Sequence, residues 1–363
     1  MPKVREYPDL FTYRKSSVLS EDVQRAARDL GVAFQRKAVT AELVSAFRNS
    51  LRGIPAESVP RGASEMREIA QMNIGYGHRE PVGIGSGLLR SFGIKRKSPD
   101  TALQDHPDLG WLLMFHESGY VRQAAMEALT TSPNCPFEVA AVVYRLNDWV
   151  ANVRAASMSY ARKSLVTAGA EAICESAFFL LPQTTCLHRW DDEGLSIVKD
   201  TIYRPDVLNK LREQFLMPRS GEVGQSLRLI LQRADFDSSI EQLALDAKLP
   251  TVRAIAIEAL LMKRARWFVG YRREWVNKVY GVSRRVAEFA ERKVEIEFET
   301  IDILEAAAQD KSSTVRRIAA NFLILNREEL TPKMAEILEA LKRDRCAAVR
   351  SRIDFIARKM AEA

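Results

Sequence analysis

Two short stretches hold the residue types from which chemistry is usually built. The first is "HRWDDEG", 188 to 194, where Trp190 stands beside Asp191 and Asp192. An aromatic ring next to two carboxylates is the most enzyme-like grouping in the chain. A plain loop whose Asp caps the following helix uses the same residues. The second stretch is "MKRARWFVGYRREWVNKVYGVSRRVAEFAERK", 262 to 293, with ten Lys or Arg against three Glu. The chain carries +7 overall, and this window alone accounts for it. Cations within one Debye length of each other add their potentials, so a local block means more than a diffuse excess. Trp267, Tyr271 and Trp275 are spaced i, i+4, i+8, which predicts a helix with an aromatic stripe turned into the core. Arg264, Arg272, Arg273 and Lys278 fall mostly off that stripe, and Arg284, Arg285, Arg292 and Lys293 form a second set on an expected next helix. Together they make a positive surface, either merely solvated or suited to an anionic partner, protein or nucleic acid.

Other groupings carry less. The glycines of "GIGSGLL" (83 to 89) do not match a phosphate-binding spacing, and no G-K-S/T follows. His116-Glu117 is the chain's one His-Glu pair among four histidines, which is too few for a metal centre built from such pairs. Cys135, Cys174, Cys186 and Cys346 show no C-x-x-C spacing, so neither a zinc site nor a disulfide framework is expected. No metal, cofactor or small-molecule site emerges. The start "MPKVREYPDLFTYRK" places charges where a signal peptide needs an apolar core, and the longest apolar run is far short of a membrane span. A cytoplasmic protein that keeps clear of membranes is expected.

The elements that would position these residues come from a repeat. "ESGYVRQAAMEAL" (117 to 129), "NDWVANVRAASMSYA" (147 to 161), "DAKLPTVRAIAIEAL" (246 to 260), "DKSSTVRRIAANFL" (310 to 323) and "DRCAAVRSRIDFIA" (344 to 357) share one layout. An acidic residue and a short gap precede Val-Arg and an Ala-rich apolar run. The marker valines are Val121, Val153, Val252, Val315 and Val349, separated by 32, 99, 63 and 34 residues. In units of about 32 the long gaps hide degenerate copies at "GQSLRLILQRA" (224 to 234), "GVSRRVAEFA" (281 to 290) and, most weakly, around 186. Each unit reads as two helices, and no pair can bury its apolar face alone, so pairs must stack. "VEIEFETI" (294 to 301) alternates like a strand but lacks a partner, and is read as a helix end and connector.

This pattern resembles the HEAT repeat, over about 250 of the 363 residues. The resemblance implies an all-α fold: a right-handed α-solenoid of about eight HEAT-like repeats over residues 105–363. Residues 1–104 form a helical N-terminal extension with a Gly/Pro-rich loop from about 53, its first helix interrupted near Gly31. In that family the Asp and Arg form a ladder between repeats, which implies Asp148 with Arg154, Asp246 with Arg253, Asp310 with Arg316 and Asp344 with Arg350 as structural groups. The function expected is a non-catalytic scaffold that docks a protein or nucleic acid through the basic block. The alternative, from another class, is a HEAT-like glycosylase of alkylated DNA. That resemblance implies catalytic roles for Trp190, Asp191 and Asp192, through residue types only.

Overall fold

The structure, a computed structural model, describes residues 16–72, 100–184 and 192–361. Among them are eighteen α-helices and one two-stranded sheet. Two compact units divide the chain, Met1–Ala172 and Ile173–Ala363.

The first unit opens with α1 (Glu21–Gln35), α2 (Ala41–Ser50) and α3 (Val59–Ile69). Helix α1 runs unbroken through Gly31, contrary to the interruption expected there. Packing explains the glycine: a Cβ at Gly31 would lie 2.6 Å from the carbonyl oxygen of Ala70, so only glycine allows that approach. The segment from 53 was expected to be loop, yet α3 forms within it, with Pro60 in the first turn where its missing N–H costs nothing. Then follow α4 (Asp100–Asp105), α5 (Gly110–Leu113), α6 (Gly119–Ala128), α7 (Pro136–Leu146) and α8 (Ala151–Ser164). Trp111, Phe47, Phe115 and Phe137 are fully buried in its core.

The unit boundary falls within α9 (Ala170–Gln183). The second unit continues through α10 (Asp192–Ile202), α11 (Pro205–Leu216), α12 (Val223–Ile230), α13 (Ile240–Asp246) and α14 (Pro250–Leu261). Strands β1 (Arg264–Asn277) and β2 (Val282–Lys293) come next, then α15 (Thr300–Gln309), α16 (Ser313–Leu325), α17 (Pro332–Lys342) and α18 (Ala347–Ala361). The helices lie in two layers: α12, α14, α16 and α18 stack in one, and α11, α13, α15 and α17 in the other. Phe215 links Phe178 and Phe236 at ring distances of 5.1 and 5.9 Å in its core.

All five Val-Arg copies lie on helices: α6, α8, α14, α16 and α18. Val153, Val252, Val315 and Val349 are wholly buried. The slot at 281 to 290 is a strand and not a repeat. The hairpin from Arg264 to Lys293 supplies the excess residues, and without those thirty, Val252 and Val315 would lie 33 apart. "VEIEFETI" is irregular to Glu299, and α15 starts at Thr300. Its alternation follows an extended segment with Val294 buried.

The ladder is offset from the pairing that the family resemblance implied. Arg122 grips Asp148 with Nε at 2.9 and Nη2 at 2.8 Å; Arg253 grips Asp310 at 2.6 and 3.0 Å; Arg316 grips Asp344 at 2.5 and 3.1 Å. Each Arg therefore holds the Asp of the next Val-Arg copy in its stack. Inside its own copy the Arg donates Nη1 to the carbonyl six residues back: Arg154 to Asp148 at 2.8 Å, Arg316 to Asp310 and Arg350 to Asp344 at 2.7 Å. Each carboxylate also accepts from the N–H two residues on, that of Val150, Ser312 or Cys346, at 2.7 to 2.9 Å, which closes the turn leading into its helix. Two copies deviate. Arg253 reaches Ala247 O, so Asp246 lies one residue out of register and is exposed. In the earliest copy Arg122 reaches His116 O, and His116 Nδ1 accepts from Ser118 N–H at 2.9 Å, a histidine in the role of the aspartate.

Candidate functional site

The basic block is a β-hairpin, where helices with a buried aromatic stripe were expected. Its composition explains the strand: Trp267, Phe268, Val269, Tyr271, Trp275 and Val276 are aromatic or β-branched, types that suit a pleated, half-exposed surface. Helix α14 ends at Leu261, and Lys263 takes φ +51, which turns the chain into β1. At the far end Asn277 Oδ1 accepts from the N–H groups of Val279 and Tyr280 at 3.0 and 3.2 Å, and Gly281 supplies φ +65. That closes the loop 278–281. Strands of 14 and 12 residues at ~3.3 Å per residue make a ribbon about 40 Å long.

The root is held firmly. Ala265 and Val294 are buried, and Val294 N–H donates to Lys263 O at 3.0 Å. Arg292 clamps the base to the segment after α12. Its guanidinium meets both carboxylate oxygens of Asp237 and donates to the carbonyls of Leu231 at 2.8 and Arg233 at 2.9 Å. Beyond the root no hairpin residue is buried.

Residues paired across an antiparallel ribbon share a face, and faces alternate along it. Pairs Arg264↔Lys293, Arg266↔Glu291, Phe268↔Phe289, Tyr271↔Ala287, Arg273↔Arg285 and Trp275↔Ser283 fall on one side. The side chains agree. Phe268 meets Tyr271 and Phe289 at 5.0 and 5.9 Å. Arg266 stacks on Phe289, Arg273 on Trp275 and Arg285 on Tyr271 at 4.1, 4.6 and 4.6 Å. Arg273 Nε also donates to Ser283 Oγ at 2.8 Å. This face has five cations and one carboxylate, with four aromatic rings between them. Each ring–guanidinium stack contributes about 0.5–1 kcal/mol at an exposed site and holds the cation in place. The opposite face bears Trp267, Arg272, Arg284 and Arg292 with Glu274 and Glu288. There Arg284 donates to Glu274 at 2.7 Å, and that hydrogen bond, with the guanidinium charge behind it, holds the Glu274 carboxyl below its ordinary value.

The eight cations read from the sequence thus share one arm but not one face. Arg264, Arg273, Arg285 and Lys293 lie with the aromatic rings, Arg272 and Arg284 on the reverse, and Lys278 in the terminal loop. Arg292 is the root clamp. A bulge at Val269 separates Trp267 from Tyr271 and Trp275, so the i, i+4, i+8 stripe does not exist as such. Arg266, Phe268 and Phe289 complete the face that spacing alone missed. Tyr280 at the tip is 80% exposed and Tyr271 59% exposed.

Elsewhere the buried polar clusters are ion-paired, although Arg145 Nε, beside Asp148, is buried without a hydrogen-bond partner. In the first unit Arg48 binds Glu138 and Asp108 at 2.9 Å each and lies over Trp111, while Asn134 N–H also donates to Glu138. Burial pushes the Glu138 carboxyl up, and Arg48 opposes this. Its oxygens are occupied, so the cluster fastens α2 to α7 and offers no reactive group. A groove of about 930 Å³ lies between α6 and α8, lined by Gln123, Glu127, Asn152, Tyr160 and Lys163 among others. Among the described residues no cluster of three or more His, Cys, Asp or Glu could hold a metal, and no helix is long and apolar enough to cross a membrane. Trp190, Asp191 and "GIGSGLL" lie outside the described residues; Asp192 begins α10.

Comparison with protein-family models and with curated proteins finds no match to this chain.

Proposed function

We propose that this protein is a non-catalytic binding scaffold: a right-handed, HEAT-like α-solenoid in the cytoplasm that carries the basic hairpin as its docking arm. The partner is a protein or nucleic acid with an anionic surface. Two layers of stacked helices and the Arg–Asp rungs between successive copies support the solenoid reading. The hairpin carries the functional one. A two-stranded ribbon with both faces in water is marginal by itself, and exposed apolar and cationic surface of this extent marks an interaction site.

A shortened arm tests this. Residues 267–290 are replaced by Asn-Gly, which retains Ala265, the Arg292–Asp237 clamp and the Val294–Lys263 hydrogen bond. The scaffold reading expects unchanged helical circular dichroism with loss of the partner captured by the whole chain at low salt. Full capture by the shortened protein would refute it. Release of methylpurine from alkylated duplex, lost in Asp191→Asn, would favour the glycosylase instead.

A further inference from the structure

We infer that the aromatic face of the hairpin is a single-stranded nucleic-acid binding strip, on which unstacked bases lie against rings and arginine planes while the strand's phosphates meet the surrounding cations. This rests on the docking-arm reading and specifies its partner.

Three observations carry it. The first is segregation. Phe268, Phe289, Tyr271 and Trp275 share one face with Arg264, Arg266, Arg273, Arg285 and Lys293. That face has a single carboxylate, Glu291, paired with Arg264 at 3.2 Å near the root, while Glu274 and Glu288 are on the other face. An acidic protein surface would use the cations and leave the rings without a task. A nucleic acid uses both, because phosphate needs charge and every base has a π face.

The second is exposure. Tyr271, Trp275 and Phe289 are 59, 44 and 42% exposed, a costly arrangement for apolar rings on a free ribbon. Their arginine partners lie over them with Cζ at 4.1 to 4.6 Å from the ring centroids, so the ring faces are open to a planar group and a cation stands beside each one.

The third is spacing. Residues on one face of a strand recur about every 6.7 Å, roughly twice the 3.4 Å spacing of bases along one strand of a duplex. The strip therefore matches a strand drawn out of its stack. A stacked duplex would present phosphates to the cations and keep its bases from the rings. Tyr280 and Lys278, in the terminal loop beyond the last pair, put one more exposed ring and one more charge at the tip.

The test is fluorescence anisotropy with a labelled 20-nucleotide oligothymidylate, a duplex of equal length and polyglutamate as competitor, at low salt on the whole chain. The single strand should bind at least tenfold more tightly than the duplex. Tyr271→Leu and Trp275→Leu keep apolar bulk on the ribbon and remove the ring. Each should weaken single-strand binding by about 5- to 150-fold. Tryptophan fluorescence should be quenched by the bound strand, and the Trp275→Leu protein should lose that quenching. Reversing Arg273 and Arg285 to Glu should cost far more than reversing Arg272 and Arg284 on the opposite face. Equal or tighter duplex binding, or leucine variants that bind like the parent, would overturn the inference and leave the docking arm standing. Binding of polyglutamate with neither oligonucleotide would also overturn it and return the partner to an acidic protein. If no polyanion binds, and the shortened arm also captures its partner in full, both readings fall.

Discussion

Replacing Asp148 by Asn and, separately, Asp246 by Asn should give very different losses, although the two residues open matching segments of sequence. Asp148 is 1% exposed at its side chain and accepts from Arg122 Nε and Nη2, Arg145 Nη1 and the Val150 N–H at 2.7 to 2.9 Å. The two arginines are themselves 5 and 8% exposed. Removing the carboxylate charge leaves two guanidinium groups in a buried site with no counter-ion. Breaking one partner from a buried pair costs about 3–5 kcal/mol, and that is the expected loss. Asp246 is exposed and out of register, so its loss should stay within about 0.5 kcal/mol. Urea unfolding, followed by circular dichroism and tryptophan fluorescence, measures both. A loss below about 1 kcal/mol for Asp148→Asn, the range of an exposed ion pair, would refute the reasoning, as would equal losses. The same site fixes a pH dependence. Burial opposes ionisation of Asp148, but hydrogen bonds from Arg122 and Val150 and the charges of Arg145 and Arg122 outweigh it and hold its pKa below 3.8. A depressed carboxyl pKa contributes stability that is present above the unfolded value and lost as pH falls through the folded one. Asp148→Asn should therefore flatten the acid limb of the stability profile below about pH 4.

Further outcomes are expected. Arg48→Met leaves Glu138, wholly buried, without its cation, and should cost about 3–5 kcal/mol in urea unfolding; Arg61→Met, on a half-exposed pair, serves as the control. His116 is held below its ordinary 6.5 by burial, with Arg122 and Arg67 acting in the same direction and Glu117 against it. The folded state thus prefers the neutral ring, and stability present above pH 6.5 declines as pH falls toward 5. His116→Asn keeps an acceptor for Ser118 N–H without the titration, and its melting temperature should fall less between pH 7.5 and 5 than that of the parent. Trp267→Ala, on a half-exposed strand position, should shift the urea midpoint far less than the few kcal/mol of a core tryptophan.

The second helices were legible because their apolar spacing has a single solution. Val315, Ile318, Ala319, Phe322 and Leu323 can share a face only at helical period, and all but the half-buried Ile318 are buried. The hairpin was not, because a spacing of four is even: residues at i, i+4 and i+8 align on a helix and also on a strand. The discriminating signal was composition, with β-branched and aromatic residues dense from Trp267 to Val282 and a glycine at 281. The 63-residue gap reinforced the error, since a 30-residue insertion is close to one repeat in length. The ladder was half legible. An Asp precedes Arg154, Arg316 and Arg350 by six residues but Arg253 by seven, and that one-residue difference marks Asp246 as the odd member. Which Arg meets which Asp is a matter of stacking geometry, and single-chain spacing holds no record of it.

The rung between Arg253 and Asp310 joins residues 57 apart in sequence, whereas Arg122 and Asp148 are only 26 apart. A chemical latch on the helices, and not the length of chain between them, thus sets the contact from α14 to α16. Such a seam tolerates substitution of its insert: the chain leaves at Lys263 and returns at Val294 through one backbone hydrogen bond, so the gap to be bridged is that of a tight turn. A lineage, or an engineer, could exchange the arm for one of different length or specificity without re-solving the packing below it. Selection on what the protein binds and selection on how it folds would then act on separate residues.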